Sequence, residues 1–336
     1  MGTLTRTVLH KRMTTFVDWI RPTDDTEEAI RKQADEIRNR VRAKAHEDGL
    51  IVTSTPSSGS FAKKTGLRRH MLGHSVVEGQ DVDLPFVVAP RTRDDEAIAS
   101  LLDRFYKYAH SSYPDTSKDV SRSSVALDFK STKLRYDLVP MLQTDVPDRQ
   151  VLLRSDGTRL TTSVWGHVEF VRARTRLSNE QPGRVKFNEC VRLLKWWRTV
   201  RTNGDEAKFP SIIVDLLSAW AFDRVGVHMT YGETLGAWFG VLADAARRRA
   251  PIVFGGAGAL PDGVWVIVDP ENPTNNVASR WRNLQVEDVT EWLEAARDGV
   301  QRALAADRRE DHPAAMNELV GLFGSAFRNV CDKAGV

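Results

Sequence analysis

Two closely spaced aspartates are the residues of this chain whose type and spacing point most directly to chemistry. Asp81 and Asp83 are separated by one residue and open an apolar run at residues 84–88. Side chains of an extended strand alternate between faces, so these two carboxylates lie on one side, about 6–7 Å apart along the chain. Like charges this close repel unless a cation lies between them, and paired carboxylates suit Mg²⁺. Alone, however, such a pair more often marks a turn or a solvated strand end.

A Gly-Ser pair and a third carboxylate strengthen the interpretation as a metal site. Gly59 and Ser60 could offer backbone N–H groups and a hydroxyl to a phosphate, although most such pairs are plain turns. Residues 125–129 and 133–139 read as two short strands joined by a tight turn, and Asp137 lies inside the second. A carboxylate in so apolar a strand is costly to bury without a partner or a metal. A neighbouring strand that carried the two other aspartates would provide that metal.

These motifs resemble those of a known family. The Gly-Ser pair, Asp81-x-Asp83 and the later DLVP at residues 137–140 look like the signature of DNA polymerase beta-type nucleotidyltransferases. The resemblance is narrower to the cGAS/DncV-like nucleotidyltransferases of bacterial anti-phage defence and their relatives, the oligoadenylate synthetases. It continues in family order to about residue 282, through VRLLKWW at 191–197, FPS at 209–211 and VWVIVDPENPTNNVA at 264–278.

The resemblance implies an α/β fold with two lobes. Residues 1–165 would form a nucleotidyltransferase lobe whose mixed sheet bears the aspartates, preceded by a long N-terminal helix. Residues 166–336 would form a helical lobe that closes the nucleotide cleft. The family also implies two Mg²⁺ or Mn²⁺ ions bound by Asp81, Asp83 and Asp137, with nucleoside triphosphates as substrates.

The activity implied by the family is the joining of nucleoside triphosphates into a cyclic di- or trinucleotide messenger, with release of pyrophosphate. The product would reach a downstream effector in bacterial anti-phage (CBASS) signalling, and a regulatory protein could bind the enzyme. A DNA activator is not expected, because the chain lacks the Cys/His zinc cluster of the DNA-sensing animal enzymes.

By resemblance, three residues of the second half are candidate nucleotide ligands. Each also has a simpler structural explanation. Lys195 lies on a helix apolar nearly all round; it would face the cleft and bind the donor triphosphate, or would extend to the surface. Ser211 follows Pro210 and either contacts a phosphate or simply starts a helix. Asp269, with Asn276, either caps a turn or contributes to nucleotide binding or lobe packing.

Composition fits this interpretation without proving it. The 336 residues suffice for two lobes, and 41% hydrophobic with 28% charged residues is ordinary for a globular protein. A net charge of +3 is compatible with polyanionic nucleotides but too small to indicate nucleic acid. The two cysteines argue against a disulfide framework. Without a signal-peptide core or a long apolar run, we expect a cytoplasmic protein and no membrane contact.

Periodicity predicts the elements that must position these residues. One long helix is expected from Phe16 to about Asp48, with its start signal at residues 23–28. A loop is expected at 115–124, and residues 145–162, rich in turn formers, should carry the chain toward the second lobe. Pro85 should make its strand end, bulge or run along an edge. Further helices are predicted at 94–110, 165–176, 185–201, 210–224, 230–249, 286–305 and 312–332.

Two functions from other classes remain open. A polymerase of linear chains that responds to double-stranded RNA would need a basic stripe, against which the modest net charge argues. A catalytically inactive nucleotide-binding module would be expected to have a broken carboxylate triad, whereas all three positions are intact here.

Overall fold

The computed structural model describes residues 7–68, 70–72, 75–77, 81–89, 100–132, 134–205, 207–256 and 258–336, with positions 70–72, 75–77 and 81 described by their backbone alone. Contacts divide the chain into two units. The helical unit comprises Met1–Arg21, Met71–Val77 and Val171–Val336. The sheet unit comprises Pro22–His70 and Glu78–Phe170.

The predicted long N-terminal helix is two helices. Helix α1 spans Val8–Ile20 and α2 spans Asp24–Glu47. The break falls at Pro22, because proline disfavours helical backbone in the residue before it and cannot donate a helical hydrogen bond. Thr23 then caps α2 by accepting a hydrogen bond from the Thr26 amide. The expected helix start at residues 23–28 is confirmed, whereas the expectation of a continuous helix from Phe16 is wrong.

The sheet unit is built on one mixed sheet, which confirms the predicted fold class. Its main path runs in the order β1-β4-β7-β6-β5, and β8 and β9 continue from β7. The strands are β1 (Val52–Ser54), β4 (Asp81–Val88), β5 (Ser117–Val120), β6 (Val125–Phe129), β7 (Leu134–Gln143), β8 (Gln150–Leu153) and β9 (Arg159–Thr162); β2 (His70–Leu72) and β3 (Ser75–Val77) pair with each other.

One face of the sheet carries the core, and the other carries the candidate site. On β4, Val82, Leu84, Phe86 and Val88 belong to a buried cluster that includes residues of α2 and of α4 (Leu101–Ser112). Residues 94–99 of the predicted helix lie outside the described residues. The alternate β4 positions, beginning with Asp83, therefore point away from this core.

The strand expectation at Pro85 is confirmed. Strand β4 continues through Pro85 in register with Val139 of β7, but its pairing with β1 is confined to Val87 and Val88, so on that side β4 is a local edge at Pro85. Proline is tolerated there because its missing N–H interrupts no described ladder bond. The predicted loop at 115–124 is wrong, since it contains β5, and the turn-rich stretch at 145–162 forms the β8–β9 hairpin. These strands are short and largely polar, so they lack the apolar alternation by which strands are recognised.

The helical unit contains the remaining elements. The sheet unit also contains α3 (Gly59–Ala62), and α5 (Val164–Asn179) spans the division between the units. The helical unit then continues with α6 (Phe187–Thr202), α7 (Ser211–Val225), α8 (Tyr231–Arg247), β10 (Val268–Asp269), β11 (Asn272–Asn276), α9 (Asn283–Arg308), α10 (His312–Phe323) and α11 (Ser325–Ala334). The predicted helix at 312–332 is interrupted at Gly324, whose φ of 76° is left-handed.

The division between the units differs from the expected boundary at residue 165 in three respects. It falls within α5, between Phe170 and Val171, and both α1 and Met71–Val77 group with the helical unit. Phe16 explains the grouping of α1, since its ring lies 5.5 Å from Trp196 and 5.0 Å from Phe327. Within the described residues, no helix combines the length and apolar character needed to cross a membrane.

Candidate active site

Two of the three predicted carboxylates lie side by side. Strands β4 and β7 are parallel, and Asp83 is in direct register with Asp137. Neighbouring strands are about 4.8 Å apart and residues in register share a face, so the two side chains project from the same side of the sheet. Two adjacent carboxylates repel, and the repulsion is relieved by a cation that both can bind.

The third predicted carboxylate, Asp81, is described by its backbone alone. It is the first residue of β4, two positions before Asp83, and is in register with Arg135. Its side chain lies outside the described residues. Among the described side chains, no group of three or more His, Cys, Asp or Glu is arranged to hold a metal ion.

Asp137 has a mostly buried and polar environment. Its side chain is 16% exposed, accepts a 3.1 Å hydrogen bond from Ser124 Oγ, and lies 3.7 Å from Arg135 Nε. Burial raises the pKa of Asp137 above its ordinary value, while the Arg135 charge and the Ser124 hydrogen bond oppose the shift. In the folded protein the ionised carboxylate is therefore disfavoured relative to solution, and a bound cation would stabilise it.

The Gly-Ser turn lies against Asp83. Gly59 has a left-handed φ of 73°, and a Cβ built on it would be 2.8 Å from Asp83 Oδ2. The turn is closed by a 3.2 Å hydrogen bond from the Lys63 amide to the Gly59 carbonyl and a 2.9 Å bond from the Thr65 amide to the Ser60 carbonyl. Glycine is required because any side chain would be strained and would displace the carboxylate.

The effect of this close approach can be measured. We expect Gly59→Ala to reduce catalytic activity at least tenfold because the new methyl group pushes Asp83 out of position. Gly157→Ala is the matched control: Gly157 also has a left-handed φ, of 80°, yet a Cβ there has no neighbour within 4 Å. Both variants should lose about 1–2 kcal/mol of stability from backbone strain, and equal activities would contradict the proposed role of Gly59.

Sequence reasoning missed the polar groups around Asp137. Besides Ser124, these are Arg135 and two carboxylates near Arg135, Asp119 at 3.9 Å and Asp128 at 3.4 Å. They lie on β5, β6 and β7, whose pairing brings together residues with no common sequence motif. The only available signal was the alternation Arg135-x-Asp137, which puts both side chains on one face.

The structure places Lys195 in an ion pair. Its Nζ lies 2.9 Å from Asp215 Oδ1 of α7, and the two side chains are 2% and 4% exposed. Because a buried ammonium requires a counter-charge, this geometry assigns Lys195 a role in holding α6 to α7. The expectation that it extends to the surface is wrong, and a contact with the donor triphosphate stays a prediction.

Ser211 is the first residue of α7 and is half-buried. Pro210 occupies the cap position before it, one residue earlier than the helix position that prolines favour. The helix start is therefore confirmed, and a phosphate contact remains a prediction.

Asp269 and Asn276 stabilise the β10–β11 hairpin. Asp269 accepts hydrogen bonds from the Glu271 amide at 2.9 Å and from Asn275 Nδ2 at 3.1 Å. Asn276 Oδ1 accepts from two backbone amides at 3.0 Å, while its Nδ2 donates to two backbone carbonyls, at 3.1 and 3.2 Å. These bonds agree with the turn-capping reading; nucleotide binding by Asp269 is still a prediction.

Comparisons with known proteins identify similar sequences. Residues 8–157 match the family described as "Second Messenger Oligonucleotide or Dinucleotide Synthetase domain". The chain is 28% identical over 313 residues to the cyclic AMP-AMP-AMP synthase of Escherichia coli (strain MS 115-1), covering 89% of this chain and 91% of that protein.

Solved structures extend the similarity to the fold. E. coli MS115-1 CdnC with ATP matches with a TM-score of 0.76 and 25% identity, covering 95% of this chain and 98% of that one. Bradyrhizobium diazoefficiens CdnG in complex with GTP matches in fold, with a TM-score of 0.72 and 18% identity, covering 97% and 98%. Together with the motifs, these findings show a Second Messenger Oligonucleotide or Dinucleotide Synthetase domain at residues 8–157 and a similarity of the chain, in sequence and in fold, to synthases of cyclic oligonucleotides.

Proposed function

We propose that the protein joins ATP into a cyclic triadenylate and releases one pyrophosphate for each bond formed. The observation that carries the catalytic part is the register of Asp83 with Asp137 beside the Gly59 turn. The choice of ATP and of a three-membered ring is supported by the E. coli relative named cyclic AMP-AMP-AMP synthase.

The carboxylates fit a divalent cation. Carboxylate oxygens are preferred by Mg²⁺ and Mn²⁺, and the adjacent Asp83 and Asp137 concentrate negative charge on one sheet face. We propose that Asp81 completes the set and that two ions bind. When bound, the ions would lower the pKa of the attacking hydroxyl and neutralise the departing pyrophosphate.

The chain's own residues position the reactants. Asp137 is proposed to orient a ribose hydroxyl of the acceptor, which attacks the α-phosphorus of the donor. The new P–O bond forms as the bond to pyrophosphate breaks, and the hydroxyl proton passes to water. The backbone amides and the hydroxyl of the Gly59-Ser60 turn would hold the donor phosphates in line. Such a mechanism gains mainly from positioning and electrostatics.

Lys195, Ser211 and Asp269 remain proposals as nucleotide ligands. The half-buried Ser211 at the start of α7 is the best placed of the three, since free backbone N–H groups at a helix start attract phosphate.

The product assay is the direct test. Purified protein is incubated with Mg²⁺ or Mn²⁺ and the four nucleoside triphosphates, one labelled at the α-phosphate in each reaction. A cyclic product has no terminal phosphate, so we expect label from ATP to persist after phosphatase treatment in one species whose mass is that of a cyclic trimer. A phosphatase-sensitive ladder would instead indicate a linear synthetase, and unchanged triphosphates an inactive module.

The biological setting is proposed by family. A cyclic product would activate a downstream effector in anti-phage (CBASS) signalling. A regulatory protein partner is also proposed, on the ground that a complex of E. coli MS115-1 CdnC with HORMA-deltaN has been solved.

A further inference from the structure

Arg135 lies within ion-pair range of three carboxylates on one face of the sheet. Its guanidinium nitrogens are 3.7 Å from Asp137, 3.4 Å from Asp128 and 3.9 Å from Asp119. Its side chain is 32% exposed, compared with 16% for Asp137, 41% for Asp128 and 70% for Asp119. The arginine is therefore shared between one mostly buried carboxylate and two more exposed ones.

The strand register explains how the sharing arises. Arg135 of β7 is in register with Asp128 of β6, and Asp137 is in register with Ala126. Ala126 is in turn in register with Asp119 of β5. All these residues lie on the same face of the sheet. Asp137 is two positions after Arg135 on β7, and the other two carboxylates are on β6 and β5.

This sharing affects any cation that Asp137 would bind. A guanidinium close to Asp137 neutralises part of the carboxylate's negative charge and repels a metal cation. A second carboxylate that attracts the guanidinium away from Asp137 therefore leaves Asp137 able to bind the metal cation. Asp128 is the nearer of the two competing carboxylates. Its effect would pass through Arg135 rather than through a contact of its own with the cation.

We infer that Arg135 is a positioning residue for Asp137, and that Asp128, by holding Arg135, sets the affinity of the Asp83–Asp137 pair for a divalent cation. The inference rests on the proposed function, because it assumes a cation at that pair. It assigns roles to Arg135 and Asp128, neither of which the catalytic reaction otherwise requires.

A double-mutant cycle on cation binding tests the inference. Mn²⁺ binding is measured without nucleotide by electron paramagnetic resonance for the unaltered protein, Asp128→Asn, Arg135→Gln and the double variant. We expect Asp128→Asn to weaken binding about twofold to fivefold, the range for partly exposed pairs, and Arg135→Gln to tighten it by a similar factor. In the Arg135→Gln background, Asp128→Asn should have little further effect.

The alternative is that the negative charge of Asp128 attracts the cation directly, without acting through Arg135, and it predicts a different result of the cycle. If Asp128→Asn weakens binding equally in both backgrounds, or if Arg135→Gln does not tighten it, the inference is overturned. Arg135→Lys is a second variant that keeps the charge without the planar fork, so it should not tighten binding. Synthesis supplies another readout: Asp128→Asn should need more metal for half-maximal rate yet reach the normal rate at saturation, whereas structural damage would lower the saturated rate.

Failure of the proposed function is recognised separately. Asp83→Asn serves as the control for the location of the Mn²⁺ site and should abolish binding. If the unaltered protein binds no Mn²⁺, or if Asp83→Asn binds it normally, the metal site itself is wrong and the inference falls with it. If Asp83→Asn loses binding but the cycle is additive, the metal site stands and only the role of Arg135 and Asp128 is refuted.

Discussion

Replacing Asp83 or Asp137 with Asn is expected to abolish synthesis of the cyclic product while the protein remains folded. The two carboxylates are adjacent across β4 and β7, and neither belongs to the buried cluster on the opposite face. Loss of one charged ligand removes several kcal/mol of transition-state stabilisation, or about 10³-fold or more in rate. Pyrophosphate release from ATP, with mass spectrometry of the product, measures the effect.

The stability of these variants separates a catalytic from a structural role. Burial raises the pKa of Asp137, so its ionised form costs stability at neutral pH. An amide removes that cost and still accepts the hydrogen bond from Ser124. The metal-free melting temperature of Asp137→Asn should therefore equal or exceed that of the unaltered protein.

The exposed Asp145 of the same unit provides the control, since Asp145→Asn should change neither activity nor melting temperature. Normal pyrophosphate release by Asp83→Asn or Asp137→Asn would refute the site assignment.

Lys195→Ala is expected to cause a large loss of stability in the helical unit. The substitution leaves Asp215, only 4% exposed, without its partner, and breaking a buried pair in this way costs about 3–5 kcal/mol. Replacing both members together, Lys195→Met with Asp215→Leu, should recover most of this loss because no charge then stays buried. Denaturant titration of the unaltered protein and the two variants measures the differences in free energy of unfolding.

An exposed pair in the same unit is the comparison. Lys208 lies 3.8 Å from Asp205, and both side chains are about half exposed, so Lys208→Ala should cost no more than about 1 kcal/mol. A Lys195→Ala protein of normal stability but with a raised KM for ATP would contradict the ion-pair role and favour the triphosphate contact that the family resemblance implies.

The aspartate motif and the fold class could be predicted because their signals are local. Asp81-x-Asp83 and Asp137 lie in apolar strands, and a buried charge in such a strand is conspicuous in any sequence. The buried character of α6 was visible for the same reason, since apolar residues surround Lys195. The ion-pair partner of Lys195 could not be predicted. Asp215 lies in an equally apolar helix, and only the packing of the two helices brings the charges together.

The environment of Asp137 could not be predicted because it depends on strand register. Asp128 and Arg135 become neighbours when β6 pairs with β7, and a shift of one residue would put them on opposite faces. Asp119 was assigned to a loop, since β5 is short and polar. Pro22, which lies between α1 and α2, is the local signal for two helices rather than one.

The packing of α1 has a consequence for the order in which the chain can fold during translation. The Leu9 amide donates to Asp307 Oδ1 across 298 residues, and Arg12 Nη1 donates to the His312 carbonyl across 300. A nascent chain leaves the ribosome with α1 well before these two partners. The chain must therefore be synthesised through His312 before α1 can make both hydrogen bonds, whereas every strand of the main sheet has been made by Thr162. Until then the apolar face of α1, which includes Met13 and Phe16, is only partly covered and is open to chaperones or to aggregation.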